Sequence, residues 1–176
     1  RWFMYAYWLG SDLVRTNQPS PRQLAYWKSK GIRTVINLRG ARDEAYYALE
    51  KDACARLGLT LIDAPLDSRD PPQRDRVHRA RELFRTVEYP VLIHCKSGAD
   101  RTGLLSAFYL IDKCGEKVAT ARRHLSFRYL HIRWSSSGIL DAVLDDFEKV
   151  EGTKNLRDWV ADDYSAEALT ARYRTR

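Results

Sequence analysis

The run Val91, Leu92, Ile93, His94, Cys95, Lys96, Ser97, Gly98, Ala99, Asp100, Arg101, Thr102, Gly103 sets an ionisable cysteine directly after a short apolar strand and an arginine directly before an apolar helix. Between them lie Lys96, Ser97, Gly98, Ala99 and Asp100, and Gly98 lacks the Cβ that would crowd the tightest part of a turn. A loop of this length can turn successive backbone N–H groups inward at a helix N-terminus, which makes a cradle for an anion such as phosphate. Arg101 can reach back with a planar fork to two phosphoryl oxygens, a geometry that lysine does not reproduce. The same inward dipoles favour the Cys95 thiolate over the thiol. Nucleophile and ligand site are then one structure.

From Cys95 to Arg101 the chain resembles the Cys-x5-Arg loop of the protein tyrosine phosphatase superfamily, and His94, Thr102 and Gly103 match its usual flanks. More loosely, from about Tyr7 to Phe147, the order of elements is similar to the compact dual-specificity phosphatases, including bacterial and lipid-directed members. The resemblance implies phosphoryl transfer to Cys95 followed by hydrolysis of the thiophosphate, with no metal and no cofactor. It also implies that His94 holds the loop through ring hydrogen bonds and favours the thiolate. Thr102 would donate its hydroxyl to the sulfur when that sulfur is the leaving group, or would cap the following helix.

A general acid must protonate the oxygen that departs. The superfamily places an aspartate after the strand that precedes the signature loop, and here the run Asp67, Ser68, Arg69, Asp70, Pro71, Pro72 occupies that region. Asp67, at the strand exit, is the first choice. Asp70, beside Pro71 in a loop able to close over a phosphate, is the second, and Asp63 within the strand pattern is the third. The Trp-Pro-Asp sequence of the large tyrosine phosphatases is missing.

Lys96 adds positive charge beside the pocket and suits a second phosphate, while Asp100 resembles an aspartate of myotubularins and of some secreted bacterial phosphatases with lipid activity. The expected substrate is a phosphorylated protein, through phosphotyrosine or dual specificity; the alternative is a phosphoinositide or other anionic phospholipid. A silent phosphate-binding module would have lost thiol or clamp, and both are present. Rhodanese-like sulfur transfer fits poorly with Arg101 followed by Thr102 and Gly103.

Around this loop the composition is that of a folded enzyme: 176 residues, 44% hydrophobic, with Lys and Arg outnumbering Asp and Glu by 30 to 23 for a net +7. Such a balance favours anionic partners. The cations are mixed with acids, as in Arg74 to Arg85 with Asp75 and Glu82, so no nucleic-acid face is expected; that helix reads as a solvated face or as one that steers an acidic substrate. Cys54, Cys95 and Cys114 form no CxxC pair and read as free thiols in a reducing, cytoplasmic compartment. The aromatic-rich segment Arg1 to Leu9 is too short to cross a bilayer and lacks the form of a signal peptide. It reads as a strand or core-covering arm, with contact to a membrane surface as the other reading.

The elements that must position the loop follow from periodicity. Ser20 and Pro21 open a short helix that Gly31 ends. Thr34 to Leu38, Leu59 to Leu66 and Val91 to His94 read as buried strands, with helices at Ala41 to Leu57 and around Val77 to Val87 between them. Later helices are expected at Thr102 to Ile111, near Val118 to Leu125, and from Ile139 to Val150. His124, Arg128, Tyr129, His131 and Arg133 read as a pocket wall, or for His131 as packing between helices. Alternation of this kind predicts an α/β fold, a central mainly parallel sheet flanked by helices, like that of the dual-specificity phosphatases. Residues 1–150 form the phosphatase domain, and 151–176 a helical tail packed on or extending from it.

Overall fold

A computed structural model describes residues 5–174, so the first four residues of the N-terminal aromatic segment lie outside the described part. Its sheet has the order β1-β2-β5-β3-β4, with β1 Tyr7–Leu9, β2 Leu13–Thr16, β3 Thr34–Asn37, β4 Thr60–Asp63 and β5 Val91–His94. β1 pairs antiparallel with β2, and every other pairing is parallel. The expected mainly parallel sheet is thus present.

Strand alternation divides the core in two. Leu13, Ile36, Val91 and Ile93 point to one face, packed by α3 Arg74–Thr86, α4 Asp100–Cys114, α5 Val118–Ala121 and α6 Ile139–Glu148. Val14, Val35 and Leu92 point to the other, packed by α1 Pro21–Ser29 and α2 Ala45–Leu57. Both faces are covered, which is why successive residues such as Val35 and Ile36 or Val91, Leu92 and Ile93 are apolar rather than alternating with polar ones. In α1 the Ser20 side chain accepts from the Gln23 N–H while Gln23 accepts from the Ser20 N–H, a reciprocal cap that fixes how the chain leaves β2.

Several boundaries differ from expectation. α2 begins at Ala45 rather than Ala41, after a turn in which Gly40 takes φ +77°. β4 ends at Asp63, just before Pro65, which has no N–H to continue the ladder. α4 begins at Asp100, so Arg101 lies in its first turn rather than ahead of it, and Thr102 is inside the helix rather than its cap. Strand β2 was not expected at all. It is short and contains Arg15 and Thr16, yet all four of its residues are buried.

The chain continues into α7 Leu156–Asp162 and α8 Ala166–Arg174. Leu156, Trp159, Val160, Tyr164, Ala166 and Leu169 join the same buried cluster as Leu104 and Phe108 of α4. The Tyr164 hydroxyl donates to the Pro72 carbonyl at 2.6 Å, and Arg74 donates back to the Tyr164 carbonyl at 2.8 Å. Among the described residues, no helix is long and apolar enough to cross a membrane. Of the aromatic N-terminal segment, Tyr7 packs edge-on against Tyr129, Trp8 against Trp27, and Leu9 is in the core.

Candidate active site

The carboxyl ends of β2, β3 and β5 meet at one edge of the sheet, and Cys95 follows β5 directly. From Cys95 the chain curls through Lys96 and Ser97, both exposed, and Gly98, Ala99 and Asp100 into α4. The Gly98 N–H donates to the Cys95 sulfur at 3.3 Å, so the loop closes over the thiol that starts it. Gly98 is required twice. Its φ is +78°, and a Cβ there would lie 2.9 Å from the backbone of Thr16 and Asn17 at the end of β2. Cys95 itself is 2% exposed.

The outer side of the loop is held by a residue the sequence reading passed over. Arg15, in the middle of β2, donates through Nη2 to the Gly98 carbonyl at 2.7 Å and to the Ala99 carbonyl at 3.4 Å. Through Nη1 it reaches the His124 carbonyl at 2.8 Å and His124 Nδ1 at 3.0 Å. Its guanidinium also lies 3.9 Å from the centre of the Tyr129 ring, on which His124 stacks. Burial lowers the Arg15 pKa to about 10, against the raising influence of Tyr129, Cys95 and Tyr7, and leaves it charged at neutral pH. Burial, then Arg15 and Arg128, push His124 down to about 4, so its ring is neutral and Nδ1 is the acceptor. Of the expected pocket wall, His124 and Tyr129 therefore back the loop from outside.

Arg101 donates through Nη1 to the Leu38 carbonyl at 3.4 Å, while its Nε is buried without a hydrogen-bond partner in the protein. Leu38 also accepts from the Leu66 N–H, one residue before Asp67. The Thr102 hydroxyl is buried and makes no hydrogen bond, so the expected donation to the Cys95 sulfur is not formed. His94 Nδ1 lies 3.3 Å from the Cys95 carbonyl, and Nε2 lies 2.7 Å from Oε1 of Glu50 on α2, close enough for an ion pair but poorly aligned as a hydrogen bond. Glu50 was also passed over. An acid in the middle of a helix reads as a solvated one, and nothing in its spacing points to His94.

The three candidate acids separate clearly. Asp63 accepts from Asn37 at 2.9 Å and from the Tyr47 hydroxyl at 2.5 Å, which ties it into the sheet edge. Asp67 pairs with Arg76 at 3.1 Å, just beyond the Leu66 backbone that shares the Leu38 carbonyl with Arg101. Asp70 is 3.5 Å from Arg174 of α8, on the side of the loop fastened to Tyr164. Asp100 turns to His131, which lies 2.7 Å from Asp100 and 2.7 Å from Asp141 of α6. Burial disfavours the charged ring, yet the hydrogen bonds to Asp100 and Asp141 outweigh it and push His131 up to about 9. Among the described residues no cluster of His, Cys, Asp or Glu is placed to hold a metal ion.

A parallel sheet with this loop at its carboxyl edge defines the protein tyrosine and dual-specificity phosphatases, a superfamily of cysteine-dependent hydrolases. Within it, the family described as PTP-NADK, a DSP-PTPase phosphatase fused to NAD+ kinase, matches residues 9–132, and the chain belongs to that family. It is a cysteine-dependent phosphatase. Solved structures share the architecture. TpbA of P. aeruginosa is 20% identical, with a TM-score of 0.64 over 84% of this chain and 90% of that one. Tk-PTP in its active form is 20% identical, with a TM-score of 0.64 over 82% and 96%. PTPMT1 is 16% identical, with a TM-score of 0.63 over 98% and 100%. At these identities the likeness is one of fold. No curated protein matches the chain.

Proposed function

We propose that the protein hydrolyses phosphomonoesters through a cysteinyl-phosphate intermediate on Cys95, acting on phosphotyrosine or with dual specificity. One observation carries this reading: the peptide units of the loop are polarised, with the Gly98 N–H turned in to the Cys95 sulfur and the Gly98 and Ala99 carbonyls turned out to Arg15. Inward N–H groups stabilise both the thiolate and the phosphoryl oxygens that arrive above it. Arg101 completes the cradle, and a phosphoryl oxygen would satisfy its buried, unpartnered Nε.

The thiolate attacks phosphorus, the S–P bond forms and the P–O ester bond breaks. The departing oxygen takes a proton from Asp67. Water then gives its proton to Asp67 and attacks the thiophosphate, releasing phosphate and the thiolate, with Thr102 free to rotate its hydroxyl to the leaving sulfur. Asp67 is preferred to Asp70 because its backbone adjoins the carbonyl to which Arg101 donates, whereas Asp70 faces α8. To act, Asp67 must leave Arg76, an exposed pair worth little. His94 and Glu50 hold the strand end from which Cys95 projects.

The phosphotyrosine reading is supported by TpbA, a cysteine-to-serine variant of which has been captured with phosphotyrosine. A phospholipid or phosphoinositide substrate is the second reading. Asp100 gives its carboxylate to His131, so it does not offset the exposed Lys96 charge at the loop. The test is phosphate release from phosphotyrosyl and phosphoseryl peptides, phosphoinositides and phosphatidylglycerophosphate, in EDTA, with Cys95→Ser as the blank. Turnover by the variant equal to that of the native chain would end the assignment of Cys95, and the preferred substrate separates the two readings.

A further inference from the structure

Of the eight large hydrophobic side chains that the structure describes as exposed, four lie between Phe127 and Trp134: Phe127 at 74%, Leu130 at 46%, Ile132 at 38% and Trp134 at 88%. Singly exposed apolar residues are ordinary, but a contiguous group of this kind marks an interaction surface. The exposed cations Arg123, Arg128 and Arg133 are interleaved with them; Arg133 pairs with Asp145 of α6 at 3.0 Å, and from Lys117 to Leu140 the chain itself has no acidic residue.

The segment is firmly anchored. Leu125 is in the core, the Tyr129 ring packs on Arg15, and His131 is clamped between Asp100 and Asp141. These inward residues leave the others to face out. Leu130 takes φ +65°, a strained conformation for a non-glycine residue that persists only where the surrounding structure holds it. Backbone bonds from Leu130 N to Phe127 O and from His131 N to Ser126 O hold the turn. The display is therefore built into the fold.

We propose that residues 123–134 dock the protein on an anionic phospholipid surface, with Phe127 and Trp134 entering the boundary between headgroups and acyl chains while Arg123 and Arg128 meet the headgroups. Charge complementarity selects this occupant. Aromatic side chains flanked by Arg123 and Arg128, neither of them paired with an acid among the described residues, match an interface that is apolar within and negative at its surface. A second copy docked face to face would set arginines against arginines. His131 joins this face to Asp100, the neighbour of Arg101, so docking brings the signature loop close to the bilayer. The inference stands apart from the choice of substrate.

Co-sedimentation of the chain with vesicles of phosphatidylcholine alone, and of phosphatidylcholine mixed with phosphatidylglycerol, tests it. Each arginine near an anionic surface contributes about fivefold in partitioning, so with Arg123 and Arg128 the mixed vesicles should be favoured roughly 20-fold at low salt and less as salt rises. Phe127→Ser with Trp134→Ser should weaken binding to mixed vesicles at least about tenfold. Its turnover of a soluble aryl phosphate, measured without vesicles, should stay at the native rate, which also reports a folded protein. If that variant fails to fold, Arg123→Gln with Arg128→Gln should still lose roughly 20-fold. Equal binding to both vesicle types, or native binding by the variants, overturns the proposal. So does a native dimer that becomes monomeric in the Phe127 and Trp134 variant without vesicle binding, which would make the face an interface between copies. Aryl phosphate turnover is read separately, so loss of the phosphatase reading and loss of the docking reading are distinguishable.

Discussion

Arg15 carries a charge into the interior and hydrogen-bonds only neutral acceptors there, the carbonyls of Gly98, Ala99 and His124 and the His124 ring, although Tyr129, Cys95 and Tyr7 also favour its charged form. Replacing it by an apolar residue leaves the Gly98, Ala99 and His124 carbonyls without this donor, at a cost of about 1–3 kcal/mol for each orphaned group. Arg15 also orients the loop. Arg15→Met should therefore lower the melting temperature and, at temperatures where the variant is still folded, lower kcat roughly 10- to 100-fold. Undiminished turnover, or a rate loss no larger than the unfolded fraction, would argue against a positioning role. The acid gives a second prediction at this scale. Asp67→Asn should cost about 10² to 10⁴ in turnover on a substrate with a poor leaving group, and much less on an activated aryl phosphate whose phenolate departs unprotonated. Asp70→Asn should be milder and lack that dependence. If the dependence follows Asp70 instead, the two assignments exchange.

At the scale of elements, two glycines determine how closely the pieces meet. Gly98 lets the loop lie against the end of β2, and Gly103 lets α4 approach the chain after α5, where a Cβ would sit 2.6 Å from the His124 carbonyl. The last residue of the signature is thus a packing requirement in this chain. His131 joins α4 to α6, and its charge makes that joint pH-sensitive. With a folded value raised to about 9 from an ordinary 6.5, the charged ring contributes stability that is fully present below pH 6.5 and is lost as pH rises through 9. His131→Gln should lower the melting temperature most at or below pH 6.5, and the gap to the native chain should narrow towards pH 9. A gap that stays constant across this window would exclude a charged His131.

For the whole molecule, the question is where the folding unit ends. We propose that 151–176 belongs to the same unit as the phosphatase core, because Trp159 packs on Phe147 and Tyr164 while Tyr164 is bonded to Pro72. Burying one such side chain is worth about 1.5–3 kcal/mol, and the tail contributes several, against a total stability of about 5–15 kcal/mol for a domain. A chain ending at residue 150 should lose its cooperative thermal transition. A native-like melting curve for that truncation would show the tail to be an accessory. The same bonds fasten the Pro71–Pro72 end of the acid loop, so the tail also bears on how freely Asp70 moves.

The sequence by itself determined the loop and the class of fold. Cys95, Gly98 and Arg101 lie within one seven-residue stretch, their chemistry depends on local backbone geometry, and short apolar runs such as Val91 to His94, set between helical patterns, read as strands covered on both faces. What only the tertiary structure decided lies in contacts between residues far apart in the chain. Arg15 is 83 positions from Gly98, and Glu50 meets His94 from α2, a helix 44 positions earlier in the chain. A charged residue in a short strand or at mid-helix reads as solvated, because local pattern records polarity and not the partner that will bury it. The same limit applies to the acid: position at the strand exit ranks Asp67 before Asp70, but that Arg101 donates to Leu38 and that Arg174 lies against Asp70 appears only in the folded chain.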